Sequence, residues 1–274
     1  MNPSEKKPDT LKLISYAALL LLAILDLFPI LYMILLSSRG GTGPEGSGPP
    51  VIFGPWIRLY HSAPQFPRWF LNSAAVSTLT VGFHLLADAM AGYVLAKRQF
   101  RGRNLVFIFI IVAMMVPRQV TLIPLFLRMG RLGLADTFLG LLLPGFGDVV
   151  GIFLIRQFLI TLPDSLLEAA KIDGAGQWSI FFKIVLPLSK PALAVMGVLA
   201  FQHYWSDFFW PLVITQSESH FTLPVGLAYL VQSEFGPDIP LLAAGACAAA
   251  IPALLVFIVF RKSFFEGFRG GALK

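Results

Sequence analysis

Charge is scarce in this chain. Of its 274 residues only 13% are Asp, Glu, Lys or Arg, while 56% are hydrophobic, and the mean hydropathy is +0.75. Soluble domains carry roughly 25% charged residues, so this balance excludes a soluble protein and leaves an integral membrane one. Cysteine is scarcer still: Cys247 stands alone in an apolar run, which excludes an internal disulfide. The four histidines, His61, His84, His203 and His220, show no ligand spacing, so no metal site is expected. No G-x-x-x-x-G-K-[ST] loop occurs, which excludes P-loop hydrolysis of ATP by this chain itself. Too little polar sequence remains for a separate soluble domain, and residues 1–274 read as one membrane domain. The net charge of +6 would suggest nucleic acid in a soluble protein; here its distribution along the chain matters more than its sum.

What is present is a series of apolar segments. Six reach the roughly 20 residues that a bilayer-crossing helix needs: 13–36, 71–96, 104–127, 137–159, 190–214 and 240–260. The fold class expected is therefore an all-α membrane protein with six transmembrane helices. Arg118, Pro124 and Asp148 interrupt the third and fourth segments. The first carries Asp26 and is too long and too interrupted for a cleaved leader. Lys and Arg accumulate in cytoplasmic loops. Threading the six segments alternately places fifteen of the 21 basic residues on one face and six on the other, which puts both termini in the cytoplasm. On the outer face, eight of the twelve residues of 39–50 are Gly or Pro, a hairpin-like linker. The outer loop from Thr215 to Ile239 holds Phe221, Tyr229, Phe235, Glu218, Glu234 and Asp238; it suits either an external partner or a cap on its own helices.

The inner segment 161–188 is too long for a turn and too apolar for a linker. Pro163 and Ser165 mark a helix start, Gly174 and Gly176 its end, and Pro187 and Pro191 set off a second short helix. In the first helix Leu167 and Ala170 share a side, Ala169 lets another backbone come close, and Glu168 and Asp173 rim the surface with acid. That is a compact docking knob. Ser165-x-x-Glu168 also fits a capping box, the alternative account of Glu168.

Glu168-Ala169-Ala170, Gly174 and Ile184-x-Leu186-Pro187 match at every specified position the E-A-A-x3-G-x9-I-x-L-P loop of ABC importer permeases. "WFLNS" (69–73), "PLFLRMGRLGLADTFLGLLLP" (124–144), "WSDFFWPL" (205–212), "TLPVGL" (222–227) and the final "GALK" resemble the carbohydrate-uptake branch, of maltose-permease G-subunit type. The resemblance implies that 161–188 carries a coupling helix seated in an ATPase subunit, with Glu168, Ala169, Ala170, Asp173 and Gly174 at the contact. It implies a C-terminal tail, Gly271, Ala272 and Lys274, that slips between the ATPase subunits. The implied partners are a second permease subunit, two ATPase subunits that bind the ATP and Mg, an extracytoplasmic solute-binding protein and membrane lipid. No cofactor belongs to this chain, and no nucleic acid. The implied location is a bacterial or archaeal cytoplasmic (inner) membrane, crossed many times.

Trp205, Asp207 and Trp210, near the outer end of the fifth segment, resemble the family's W-N-D-F stretch with Ser206 in place of its asparagine. With Asn72 they form the expected translocation pathway, since aromatic faces and planar polar groups recognise sugars. The alternative there is an interfacial aromatic belt with Asp207 capping a helix. The stripe Ala243–Ala250 is small enough for close helix contact, within the bundle or with a second permease subunit. The expected function is translocation of a sugar, oligosaccharide or polyol-type solute by alternating access, without catalysis by this chain. The competing reading is a proton-coupled carrier with Asp26, Asp88 and Asp207 as its relay; a structural role suits Asp26 and Asp88 better.

Overall fold

The computed structural model describes residues 9–40, 51–231 and 238–272. The expectations that rest on Phe235, Glu234 and Lys274, and on most of the Gly/Pro linker, fall outside them. The chain divides into two compact units, one of Met1–Pro64 with Tyr229–Ala249, the other of Gln65–Ala228 with Ala250–Lys274.

The first unit opens with α1 (Asp9–Ser38), apolar around its whole circumference and exposed along its length, as a helix surrounded by lipid or by other helices must be. A two-stranded antiparallel pair, β1 (Arg39–Gly40) and β2 (Val51–Ile52), leads into α2 (Gly54–Ser62), which has Pro55 in its first turn. Buried Arg58 on α2 forms an ion pair with Asp238, and the Asp238 carboxylate also accepts from the Leu241 amide at 3.0 Å. That acid thus ties α2 to the first turn of α14 (Ile239–Ala272). An apolar groove of about 410 Å³ lies between the Phe28–Leu36 stretch of α1 and Ile239, Leu242, Ala243 and Ala246, so part of the alanine stripe is used inside the chain. The helix backbone of α14 runs on through Gly271 and Ala272, within the stretch that the resemblance implies to be a tail. Extending an existing helix needs no new nucleus, so terminal glycines weaken it without ending it.

The second unit is built around α3 (Phe66–Lys97), against which pack α7 (Val149–Ile160) and α11 (Lys190–Trp205). α3 and α7 come very close because two glycines lack side chains. A Cβ on Gly92 would lie 2.7 Å from Ile155 Cγ2, and one on Gly151 would lie 1.7 Å from Asp88 Oδ2. The remaining elements are α4 (Arg103–Met114), α5 (Arg118–Arg131), α6 (Phe138–Leu142), α8 (Ser165–Ile172), α9 (Gln177–Ile180), a π turn over Phe181–Val185, α10 (Leu186–Leu188), α12 (Phe209–Ile214) and α13 (Leu223–Val231).

Among the described residues, Lys12–Ser38, Phe66–Lys97, Phe138–Ile160 and Ile239–Arg261 are each long and apolar enough to cross a membrane. Two segments read as continuous in the sequence are broken. The third bends by 100° between α4 and α5, where Pro117 has no N–H to donate and its ring disfavours helix at Val116. The fifth ends at Trp205, with α12 a separate element, and the chain that enters it bends by 73° around Ser189, between Pro187 and Pro191.

Candidate functional site

The segment 161–188 is a helical hairpin rooted in the bundle. α8 starts at Ser165 with Asp164 as its N-cap residue, and no side chain caps it. The capping box is therefore not formed. Asp164 points elsewhere: its carboxylate accepts from Lys97 Nζ at 2.7 Å, and the same nearly buried ammonium donates to the Leu162 carbonyl at 2.5 Å. The Lys97 hydrogen bond and charge hold the Asp164 carboxyl below its ordinary pKa. Lys97, the last residue of α3, thus fastens the start of the hairpin to the central helix. Gly174 ends α8 at φ +79°, a conformation open to glycine and rarely to other residues, and the Ala175 amide returns to the Ala170 carbonyl at 2.9 Å.

The two alanines of the motif face opposite ways. Ala170 is buried with Tyr93 and Ala89 of α3, Ile155 and Leu159 of α7, Met196 of α11, and Ile180, Phe181 and Val185 of the hairpin's second arm. Leu167, one turn earlier, packs against the same cluster. Ala170 therefore packs within the chain, in keeping with its i+3 relation to Leu167, while Ala169 faces out. Glu168, Ala169, Asp173 and Gly174 are exposed, and so are two large apolar groups, Ile172 (87%) and Trp178 (68%).

On the pathway residues the structure separates what the sequence grouped. Asp207 and Trp210 line one cavity of about 330 Å³ with Arg118, Gln119, Asp148, His203 and Tyr204. Trp210 is itself largely buried; Trp205 does not line the cavity and sits in aromatic packing, stacked on Phe201 and edge-on to Phe70. Asn72 is a loop anchor: its amide donates to the Ser219 and Phe221 carbonyls, each at 2.9 Å. Trp69 Nε1 donates to the Glu218 carbonyl and the Leu223 amide to Ser73 Oγ, so α3 holds the loop along one edge.

Asp136, in the left-handed region at φ 53°, holds the other edge through the amides of Gln216 and Ser217, the Ser217 hydroxyl and His220 Nδ1. Desolvation works to raise the Asp136 carboxyl, but these donors, the Ser217 hydroxyl foremost, outweigh it and hold the group well below the usual carboxylate range. The first half of the loop that starts at Thr215 is thus a cap on its own helices.

The sequence treated Arg118 and Asp148 only as interruptions and His203 only as a non-ligand. Their meeting in one cavity depends on the break after Met115 and on Asp148 capping α7, neither of which has a local signal beyond Pro117. Asp88 lies sealed against Gly151 and accepts from the Asp148 amide at 3.3 Å. Asp26 is exposed on α1. Among the described residues no three His, Cys, Asp or Glu side chains are grouped to hold a metal ion.

Comparison with known proteins agrees over most of the chain. Residues 89–264 match the family described as binding-protein-dependent transport system inner membrane component. The arabinooligosaccharides transport system permease protein AraQ of Halalkalibacterium halodurans is 36% identical over 260 residues, covering 92% of this chain and 93% of that protein. The lactose transport system permease protein LacG of Rhizobium radiobacter is 30% identical over 262 residues, 94% of this chain and 95% of its own length. A crystal structure of a bacterial ABC transporter that imports the acidic polysaccharide alginate has a chain that superposes with a TM-score of 0.83 at 27% identity, over 96% of this chain and all of that one.

Proposed function

The chain belongs to the binding-protein-dependent transport system inner membrane components, and within them to the sugar ABC permeases; on that premise we propose that it carries a sugar, oligosaccharide or polyol-type solute inward by alternating access. It is a multi-pass membrane protein whose relatives are permeases and not enzymes. In this reading each bent helix pair serves as one span, giving six, and both termini are cytoplasmic. A second permease chain completes the membrane unit, a solute-binding protein delivers from outside, and two ATPase subunits supply the ATP and Mg chemistry that this chain has no P-loop to perform. The comparisons lend the proton-coupled alternative no support.

One observation carries the reading: α8 exposes an acidic and apolar rim while its inner side belongs to the core shared by α3, α7 and α11. Close-packed interiors transmit displacement and do not absorb it. Movement imposed on Glu168, Asp173 and Ile172 from outside is passed through Leu167 and Ala170 to Tyr93, Ile155 and Met196, and through Asp164 to Lys97 at the end of α3. ATPase closure would thereby rock the spans between inward-open and outward-open states. Gly271, Ala272 and Lys274 are proposed as a second ATPase contact on the family resemblance.

A photoreactive amino acid placed at Ile172 tests the docking face. Irradiation of the assembled importer is expected to yield an adduct between this chain and the ATPase subunit, identified by mass. The same probe at buried Ile155 serves as the negative position. Adducts from position 172 with lipid alone would place α8 away from the ATPase and remove the basis for coupling through it.

A further inference from the structure

The cavity that Asp207 and Trp210 line holds more acid than base, which bears on its occupant. Both terminal nitrogens of the Arg118 guanidinium are turned onto protein groups, Nη2 toward Asp148 Oδ1 at 3.4 Å and Nη1 onto His203 Nε2. A guanidinium can only donate, so His203 accepts at Nε2 and is the neutral imidazole with its proton on Nδ1. Asp148 also caps α7, accepting from the Val150 amide at 3.4 Å. Asp207 is a second carboxylate in the lining and faces the amides of Phe209 and Trp210 at the start of α12. Two carboxylates thus stand beside one cation that is already engaged.

Other polar groups there are also in use. The Tyr204 hydroxyl donates to the Gly145 carbonyl at 3.2 Å and Trp210 Nε1 to the Gly140 carbonyl at 3.1 Å. The Gln119 side chain, by contrast, has no hydrogen-bond partner among the described residues. A ligand entering this cavity would therefore find carboxylate acceptors, one amide and the rings of Phe209 and Trp210, but no free positive charge.

We propose that this cavity is a solute site contributed by this chain, and that it takes an uncharged polyhydroxylated ring while rejecting carboxylated or phosphorylated sugars. The proposal rests on the permease reading above and adds the charge class, which overall likeness leaves open because a chain of the same fold comes from an alginate importer. Hydroxyl groups donate to Asp207 and accept from Gln119, and C–H faces stack on the indole. An anionic sugar is held most strongly where an Arg fork or a Lys ammonium is available to its oxygens. Here it would meet Asp148 and Asp207 with Arg118 already committed.

The test uses the complete importer in nanodiscs without its binding protein, so that selection upstream is removed. It is titrated with a set of neutral pentose and hexose disaccharides and with their uronate counterparts. The signal is the part of the tryptophan quenching that Trp210→Phe abolishes. Neutral disaccharides are expected to quench saturably and the uronates to bind about tenfold or more weakly, as like-charge juxtaposition demands. Asp148→Asn combined with Asp207→Asn, which frees Arg118, is expected to erase that preference; Asp207→Asn alone is expected to narrow it. Uronates that bind as well as or better than the neutral sugars would overturn the proposal, and so would an absence of quenching by either set. ATP-driven uptake by the same complex with its binding protein, measured in parallel, separates the two levels. Uptake without quenching removes the site and keeps the permease, whereas no sugar uptake at all removes both.

Discussion

Glu168→Lys is expected to lower ATP-driven solute uptake by about tenfold or more while leaving the chain inserted and folded. Glu168 is exposed and has no partner within the described residues, so its replacement should alter stability by no more than about 0.5 kcal/mol. Its value lies in what it meets. Reversing a charge on a docking rim sets like charges against each other, which costs several kcal/mol, and each 1.4 kcal/mol is a factor of ten. Uptake by vesicles and recovery of the ATPase subunit with the purified permease would be read together. Ser165→Ala serves as the control, since no side chain caps α8, and it is expected to be neutral. Normal uptake by Glu168→Lys would show that this carboxylate takes no part in docking.

Gly151→Val is expected to abolish the protein by a different route. A Cβ at this position would stand 1.7 Å from Asp88 Oδ2 and 3.0 Å from Met196 Cε, so α3, α7 and α11 could not keep their present spacing. Separation would also withdraw the Asp148 amide from the buried Asp88 carboxylate. Overpacking alone costs about 1–3 kcal/mol and an unsatisfied buried polar group a similar amount, against a total stability of only about 5–15 kcal/mol. The variant should fail to accumulate in membranes by immunoblot. Gly82→Ala, on the facing helix α3 but with open space around its Cβ, should accumulate normally. Equal amounts of the two would contradict the close α3–α7 crossing.

The apolar segments were legible in the sequence because length and hydropathy alone decide what can cross a bilayer. The hairpin from Pro163 to Leu188 was legible for another reason: its prolines and glycines carry backbone consequences that do not depend on tertiary context, and α8 runs from Ser165 to Ile172 as those residues require. The bends were not, since Pro117 forecasts a break but no angle. The loop contacts of Asn72 and the aromatic packing of Trp205 were not legible, because a polar or aromatic residue near the end of a span looks the same whether it faces a cavity or clamps a loop. Ala169 and Ala170 are adjacent and chemically identical, and only the packing of Leu167 shows which of them faces inward. The Arg118–Asp148–His203 group joins α5, α7 and α11, whose residues lie 30 and 85 positions from Arg118, beyond the range of any periodicity.

The most direct measurement is solute uptake into sealed vesicles that hold the complete importer and its binding protein, with the proton gradient and ATP varied independently. Uptake is expected to continue undiminished when an uncoupler collapses the gradient and to stop when ATP is withdrawn. Uptake that follows the gradient and ignores ATP would contradict the account, and Asp207 would then have to be reconsidered as a proton carrier.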